Sequence, residues 1–322
     1  PPRAISTHRP PCCSTANAHP VMTVSRRLLE RFVRMIGLPE VRFSVVYYAG
    51  IFAAVLATLA IGSPVSAEEF SGDSAKLSPF SVRVGVFDMN SSTVVRIDGR
   101  GGNIGTKFKF EEALNLDSRK DTAVAGIRWR FKDRHFLELE YFNLSRSGYR
   151  RLESEIRFGD RVFEVGADVR SSFTTEVTRL SYAYRVIRTP KWGMALGGGI
   201  HVTRLHASLT EIVIDNVGVP VSGREIASVT APLPVLGVSG ARWLSEKWTA
   251  IARAQTFFLE VDDVEGSINH VSAYFEHDTT EHFGFGFGYD WLDIDVRIDE
   301  DLWRGKADVA FEGPMLFIKG SF

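Results

Sequence analysis

The sequence predicts an all-β protein: a transmembrane, antiparallel, up-and-down β-barrel of about ten strands, with eight and twelve as the alternative counts. Two observations lead to this prediction. Apolar and polar side chains alternate with a period of two, and short polar breaks recur at comparable intervals along the chain. No stretch after Glu68 is apolar for eighteen residues, so we expect no membrane-spanning helix there.

The alternation is clearest in Phe283 to Trp291, which reads FGFGFGYDW. A period of two is the strand period, and it places one chemical class on each face of a sheet. The breaks at 132–134, 188–191, 245–247 and 278–281 predict tight turns. They cut the chain into five intervals, each long enough for one strand out, a long loop and one strand back.

The strand ranges follow from these turns. They are 82–97, 122–131, 135–147, 173–187, 192–207, 229–243, 248–261, 268–277, 282–297 and 306–322. Residues 104–110 and 155–165 also resemble strands, the second turning at Gly159 and Asp160. We place both as extensions in the first and second outer loops, because a single extra crossing would break the even parity of such barrels. If both crossed the membrane, the barrel would have at least twelve strands.

Charge and cysteine content exclude several classes of protein. The chain has 322 residues and a formal net charge of −1, but residues 1–67 hold seven Arg, no Lys and two Glu. The remainder has 31 of the 38 basic and 37 of the 39 acidic groups, a net charge of −6, which argues against nucleic-acid binding. The only cysteines are Cys12 and Cys13, so the rest cannot use disulfides, Cys-ligated metals or cysteine catalysis. We expect no cofactor and no metal.

The amino-terminal part is predicted to be an export signal. Residues 45–62 form an uncharged apolar run after Arg34 and Arg42, with Val65 and Ala67 at the −3 and −1 positions. This pattern is typical of a secretory signal peptide cleaved between Ala67 and Glu68, and the alternative is a transmembrane anchor. The predicted organisation is an upstream extension (1–34), a signal peptide (35–67), a periplasmic segment (68–80) and the barrel (81–322).

Two pairings test the register of the strands. Trp129 opposite Leu137 puts apolar side chains on the lipid face and sets Arg128 opposite Glu138 inside. In the last tight turn, we expect Phe275 opposite Phe285. That pairing would place Tyr274 over Gly286 inside the barrel, an aromatic ring covering a glycine.

Charged residues interleaved with small ones predict an enclosed polar lumen. The candidate interior residues are Arg83, Arg128, Arg130, Arg179, Arg185, Arg253 and Lys319 against Glu138, Glu140 and Glu276. Buried charges require partners, so we expect an ion-pair network and a basic lumen. Small barrels are filled by their own side chains, which favours a plugged lumen over a narrow, anion-leaning channel. The alternative fold is a water-soluble barrel or sandwich with an aromatic core.

The carboxyl end resembles that of the outer-membrane β-barrel proteins of Gram-negative bacteria. Leu316, Ile318 and the terminal Phe322 lie on one face of a closing strand, although Gly320 stands where that family has a larger residue. The small OmpA-type or ten-stranded class is the one it resembles, and no nearer relative is identified. The resemblance implies recognition by the barrel-assembly machinery, contact with outer-membrane lipids and lipopolysaccharide, and an outer-membrane location. The oligomeric state stays open.

No catalytic signature stands out in the chain. His206, Asp293 and Asp295 lie near the expected extracellular rim and are the weak candidates for a rim-located hydrolase acting on protein or lipid. His201 and His206 are five apart, as are His277 and His282, so each pair points to opposite faces of a strand and makes no local metal site. The role predicted from the sequence is therefore structural or surface interaction rather than enzymatic, with the rim-located hydrolase as an alternative.

Overall fold

The computed structural model describes residues 78–99, 103–214, 220–261, 264–300 and 303–322. The predicted signal peptide and its cleavage point at Ala67 and Glu68 lie outside the described residues. Within those residues, no helix is long and apolar enough to span a membrane.

The described chain is built almost entirely of strands. They are β1 (Phe80–Asp98), β2 (Phe108–Lys109), β3 (Arg119–Lys132), β4 (His135–Arg151), β5 (Ile156–Phe158), β6 (Arg161–Phe163), β7 (Asp168–Arg188), β8 (Trp192–Ile214), β9 (Pro220–Trp243), β10 (Trp248–Val261), β11 (Val264–Asp278), β12 (Phe283–Glu300) and β13 (Trp303–Ser321). One short helix, α1 (Phe110–Ala113), follows β2.

Ten of these strands form a closed ring. The order is β1, β3, β4, β7, β8, β9, β10, β11, β12, β13, and β13 pairs antiparallel with β1 to close the barrel. Each predicted strand range overlaps one strand of the ring, so the predicted fold class and the count of ten are confirmed. Closure leaves no unpaired edge in the ring, which is what a bilayer requires of strands.

The outer face of the barrel changes from apolar to polar along each strand. On β12, Phe285, Phe287 and Tyr289 point outward and are exposed, whereas Asp293 and Asp295 continue that outward face beyond them. The inner face changes in the opposite sense. Gly286 and Asp290 lie inside near the tight turns, and Leu292 and Ile294 are buried further along.

This inversion divides the barrel into two zones. The belt zone, at the end with the tight turns, carries exposed apolar side chains on its outer surface: Phe80, Val84, Val86, Ile127, Trp129, Phe131, Leu139, Tyr141, Leu180, Tyr182, Tyr184, Leu196, Leu236, Phe275, Phe285, Phe287, Tyr289, Leu316 and Ile318. The outer zone, at the other end, has a polar exterior and an apolar core. An apolar ring around a polar interior fits hydrocarbon, and a polar exterior around an apolar core fits water.

The first two loops fold into the outer zone and fill it. Phe110 of α1 and Phe158 of β5 are fully buried in the apolar core. Arg146 on β4 ties the first loop down, since its Nη1 donates to Glu111 at 2.6 Å. The predicted strand at 104–110 is therefore largely wrong: only Phe108 and Lys109 pair with β1, and a helical turn follows because Phe110 turns into the core. The predicted hairpin at 155–165 is present as β5 and β6, turning at Gly159 and Asp160.

The first predicted register is confirmed and the second is wrong by two residues. Trp129 pairs with Leu137, and Arg128 pairs with Glu138. Phe275 pairs with Phe287 rather than with Phe285, so Tyr274 lies over Gly288.

The shift in the last hairpin comes from its turn. The backbone N–H groups of Thr279 and Thr280 both donate to the carbonyl of Phe283, at 3.0 and 2.9 Å. The Thr280 hydroxyl accepts from the N–H of Phe283 at 3.0 Å. The turn thus extends to Phe283. A shift of two residues keeps every side chain on its predicted face.

Candidate functional site

The lumen of the belt zone holds a connected set of ion pairs, which we call the lumen network. Glu140 on β4 is at its centre and contacts three guanidinium groups: Arg179 at 2.8 Å, Arg253 at 3.3 Å, and Arg83. Glu138, two residues away on the same face, accepts from Arg128 Nε at 2.6 Å and also pairs with Arg253. Two carboxylates thus hold four guanidinium groups in one layer.

A second layer of the network lies nearer the tight turns. Lys319 on β13 donates to Glu276 at 3.0 Å and contacts Asp278 at 2.6 Å. Arg128 donates to the Tyr274 hydroxyl at 3.3 Å, and the Arg83 guanidinium lies 5.4 Å from the centre of the Tyr274 ring. The second layer therefore joins the first through Arg83 and Arg128.

A third layer was not predicted from the sequence. His270 lies between Asp290 at 3.0 Å and Arg179 Nη1 at 2.6 Å, and all three side chains are buried. His201 Nε2 contacts Gln255 Oε1 at 3.1 Å. The signal that could have identified Asp290 is its position in FGFGFGYDW, where it takes a place otherwise held by inward-facing glycines.

Small residues on the wall make room for these long side chains. A Cβ atom on Gly126 would lie 2.8 Å from Arg83 Nε, and one on Gly288 would lie 2.4 Å from Tyr274 Cβ. Both distances are shorter than real Cβ contacts. Gly126 therefore gives room to the Arg83 side chain, and Gly288 gives room to Tyr274, its partner on the neighbouring strand.

Two of the predicted interior cations stand apart from the network. Arg185 on β7 is buried, and its guanidinium lies 4.7 Å from the centre of the Phe136 ring. Arg130 lies opposite Phe136 on the neighbouring strand and is partly exposed. In the described residues, neither has a carboxylate within 4.0 Å.

The rim candidates for catalysis are not brought together. His206 points outward on β8, and Asp293 and Asp295 point outward on β12, with β9, β10 and β11 between them. Asp295 pairs with Lys306 at 2.6 Å. Partial burial and the nearby carboxylates of Asp308 and Asp295 raise the pKa of Asp293. The geometry gives these three residues no shared acid–base site.

The predicted assembly signal lies at the seam of the ring. Leu316 and Ile318 face outward on β13 and are exposed. Phe322 exchanges backbone hydrogen bonds with Phe80 at 2.8 and 3.2 Å, and their ring centres are 6.3 Å apart. The two ends of the barrel chain therefore meet at the end with the tight turns.

Metal chemistry has no visible site in the described part of the chain, where no group of three His, Cys, Asp or Glu side chains is placed to hold an ion. The belt-zone carboxylates Glu138, Glu140, Glu276 and Asp290 each have a cationic or histidine partner. The arrangement therefore serves to fill space with compensated charge.

Comparisons with known proteins give structural likeness only. No protein-family model matches the sequence, and no curated protein matches it. The outer membrane protease OmpT from Escherichia coli is similar at a TM-score of 0.45 and 10% identity, covering 76% of this chain and 96% of that chain. The translocator domain of the autotransporter NalP from Neisseria meningitidis is similar at a TM-score of 0.37 and 12% identity, covering 87% of this chain and 98% of that chain.

A third similar structure is Ail, the attachment invasion locus protein of Yersinia pestis, at a TM-score of 0.30 and 10% identity, covering 75% of this chain and 99% of that chain. The closed antiparallel ring of ten strands has the fold that the resemblance to outer-membrane β-barrels as a class implies.

Proposed function

We propose that this protein is an outer-membrane β-barrel of a Gram-negative bacterium with a closed lumen and a structural or surface-interaction role. The tight turns face the periplasm and the filled outer zone projects from the cell. An amino-terminal signal peptide exports the chain, and the barrel-assembly machinery recognises β13 through Leu316, Ile318 and Phe322. Outer-membrane lipids and lipopolysaccharide surround the belt zone.

The observation that supports this proposal is a set of bonds that cross the lumen. Arg253 on β10 reaches Glu138 and Glu140 on β4, on the far side of the ring. Arg179 on β7 reaches His270 on β11 at 2.6 Å. Side chains that meet across the diameter leave no continuous aqueous path at that level, and barrels of this size are filled by their side chains.

Surface contact is supported by the outer zone. Its outer wall is polar, and four exposed apolar side chains lie on or beside the first two loops: Ile104, Tyr149, Val162 and Val165. Larger apolar patches on a polar surface are typical of interaction sites, and we infer that these side chains contribute to one. The loops are held by buried anchors, so this surface has a fixed shape.

Planar-bilayer recording of the refolded barrel distinguishes a closed lumen from the narrow anion-leaning channel. We expect no single-channel steps from the natural sequence. The positive control is a variant in which the positively and the negatively charged side chains of the network are removed together. Alanine replaces Arg128, Glu138, Glu140, Arg179 and Arg253, and this variant should conduct. Anion-selective steps from the natural protein would overturn the closed-lumen proposal in favour of the channel.

A further inference from the structure

An unfilled cavity lies inside the barrel at the end with the tight turns. We call it the mouth pocket. Its inward-facing lining is formed by Arg185, Phe136, Ala195, Ala241, Trp243 and Ile251, and Arg128, Glu138 and Arg253 form its floor. The cavity volume is about 70 Å³. Arg128, Glu138 and Arg253 of the lumen network lie on its inner side, and the tight turns lie on its other side.

Charge in the mouth pocket is unbalanced. Three of the lining residues are arginines and one is a carboxylate, Glu138. Glu138 is already shared between Arg128 and Arg253. Arg185 is therefore left as a cation without a carboxylate among the described residues.

Arg185 is nevertheless deeply buried. It is 6% exposed, its Nη1 atom has no hydrogen-bond partner among the described residues, and its guanidinium lies over the face of Phe136, 4.7 Å from the ring centre. A ring face compensates a buried guanidinium only in part. Burying an unpaired charge is costly, so such a group is expected where a ligand supplies the missing partner.

The walls beside Arg185 are apolar. Trp243, Ile251 and Phe136 all contribute to these walls. A Cβ atom on Gly193 would lie 3.5 Å from Trp243 Cη2 and 3.6 Å from Arg185 Cδ, so Gly193 lies beside both side chains at the cavity wall. A planar fork of N–H donors beside aromatic and aliphatic walls matches a carboxylate attached to an apolar body.

We propose that the mouth pocket binds a small soluble organic carboxylate, with its anionic group on Arg185 and its apolar body between Trp243 and Phe136. The guanidinium is inside the ring, so a lipid in the bilayer cannot reach it without entering the lumen. Binding here does not require conduction, and the pocket is accessible from the short-turn end whether or not the lumen is closed.

The test is equilibrium dialysis of the refolded barrel, in non-ionic detergent, against labelled benzoate. Benzamide, which has the same shape without the charge, is the comparison ligand. We expect saturable binding of benzoate and at least about tenfold weaker binding of benzamide. Benzamide has no carboxylate to accept the paired, charge-assisted hydrogen bonds of the Arg185 guanidinium. Equal binding of the two would overturn the proposal.

Variants locate the site. Arg185→Gln should weaken benzoate binding about ten- to hundred-fold, and Arg185→Lys should retain part of it. Arg134→Gln makes the same charge change on an exposed turn residue at the same end and should leave binding unchanged. Ala195→Leu fills the pocket without changing charge and should also abolish binding.

Folding of each variant is checked by heat-modifiable mobility on gels. Unchanged binding in a folded Arg185→Gln barrel would place the anion elsewhere, and so would an equal loss in Arg134→Gln. Ala195→Leu keeps the proposal testable if Arg185→Gln does not fold. The conductance recording reports on lumen closure alone, so failure of that proposal and failure of this one are distinguishable.

Discussion

Glu140 on β4 lies directly opposite Arg179 on β7, and their side chains meet at 2.8 Å inside the barrel. The same carboxylate also contacts Arg83 and Arg253. One acid on one strand therefore compensates three cations that come from three other strands. The lumen network depends on this residue more than on any of its single cations.

Removal of the Glu140 charge should destabilise the barrel strongly. Glu140→Gln leaves three buried guanidinium groups short of a carboxylate, which we expect to lower the free energy of unfolding by about 3–5 kcal/mol. Equilibrium unfolding by urea in lipid vesicles measures it. The control is Glu176→Gln, which breaks the exposed pair with Arg204 and should cost about 1 kcal/mol or less. Equal losses in the two variants would contradict a central role for Glu140.

The first loop should depend on a single buried cation. The Arg146 side chain is fully buried and pairs with Glu111 at 2.6 Å, and Glu111 also accepts from the N–H of Thr93 at 3.0 Å. Arg146→Ala leaves Glu111 buried without its cation. We expect a loss of about 3–5 kcal/mol and faster hydrogen exchange across 103–118.

Arg151→Ala is the matched control for the first loop. Arg151 is on the same strand and is exposed, and among the described residues it has no hydrogen bond or ion pair to the first loop. We expect a change of about 1 kcal/mol or less and unchanged exchange in the loop. If Arg146→Ala leaves the protection of 103–118 as it was, the loop is held by its phenylalanines alone.

Stability of the outer zone should depend on pH through Asp293. Burial and the carboxylates of Asp308 and Asp295 raise its pKa in the folded state, while Lys306 is engaged by Asp295. A raised carboxyl pKa favours the protonated form, so this contribution is present at low pH and is lost as pH rises through the folded pKa. Asp293→Asn should therefore stabilise the barrel at neutral pH, by a few tenths of a kcal/mol after solvent screening.

The measurement compares urea unfolding of Asp293→Asn and the natural protein between pH 3 and pH 7, a range of about four units around the ordinary carboxyl pKa. The difference should vanish at the acid end. A variant that is less stable at neutral pH would show that the Asp293 charge is favourable where it stands.

Much of the fold could be predicted because each zone of the barrel keeps one face polar and the other apolar. The period of two in FGFGFGYDW identifies β12, and polar breaks locate its turns. The inversion between the zones is also present in the sequence, since the outward face of β12 changes from Tyr289 to Asp293 within four residues. The inversion was not predicted, because a single lipid face was assumed along the whole length of each strand.

Other features depend on contacts that have no sequence signature. The pairing of Arg253 with Glu138 joins residues 115 positions apart and exists only once the ring has closed. The register of the last hairpin was wrong because one hydroxyl, that of Thr280, extends the turn. The third layer of the lumen was missed because His270 and Asp290 are unremarkable alone and become partners only across β11 and β12.

If the outer surface of the barrel changes from lipid-facing to water-facing along each strand, labels at the two ends of one strand will lie in different environments. The natural cysteines are confined to positions 12 and 13, so the barrel from residue 81 on accepts single labels without background. Spin labels at Leu316 and at Ala310, both outward on β13, can be compared in vesicles by their accessibility to oxygen and to a water-soluble nickel complex. We predict that the label at 316 is accessible to oxygen and that the label at 310 is accessible to the nickel complex. Equal access of the nickel complex to both positions would contradict it.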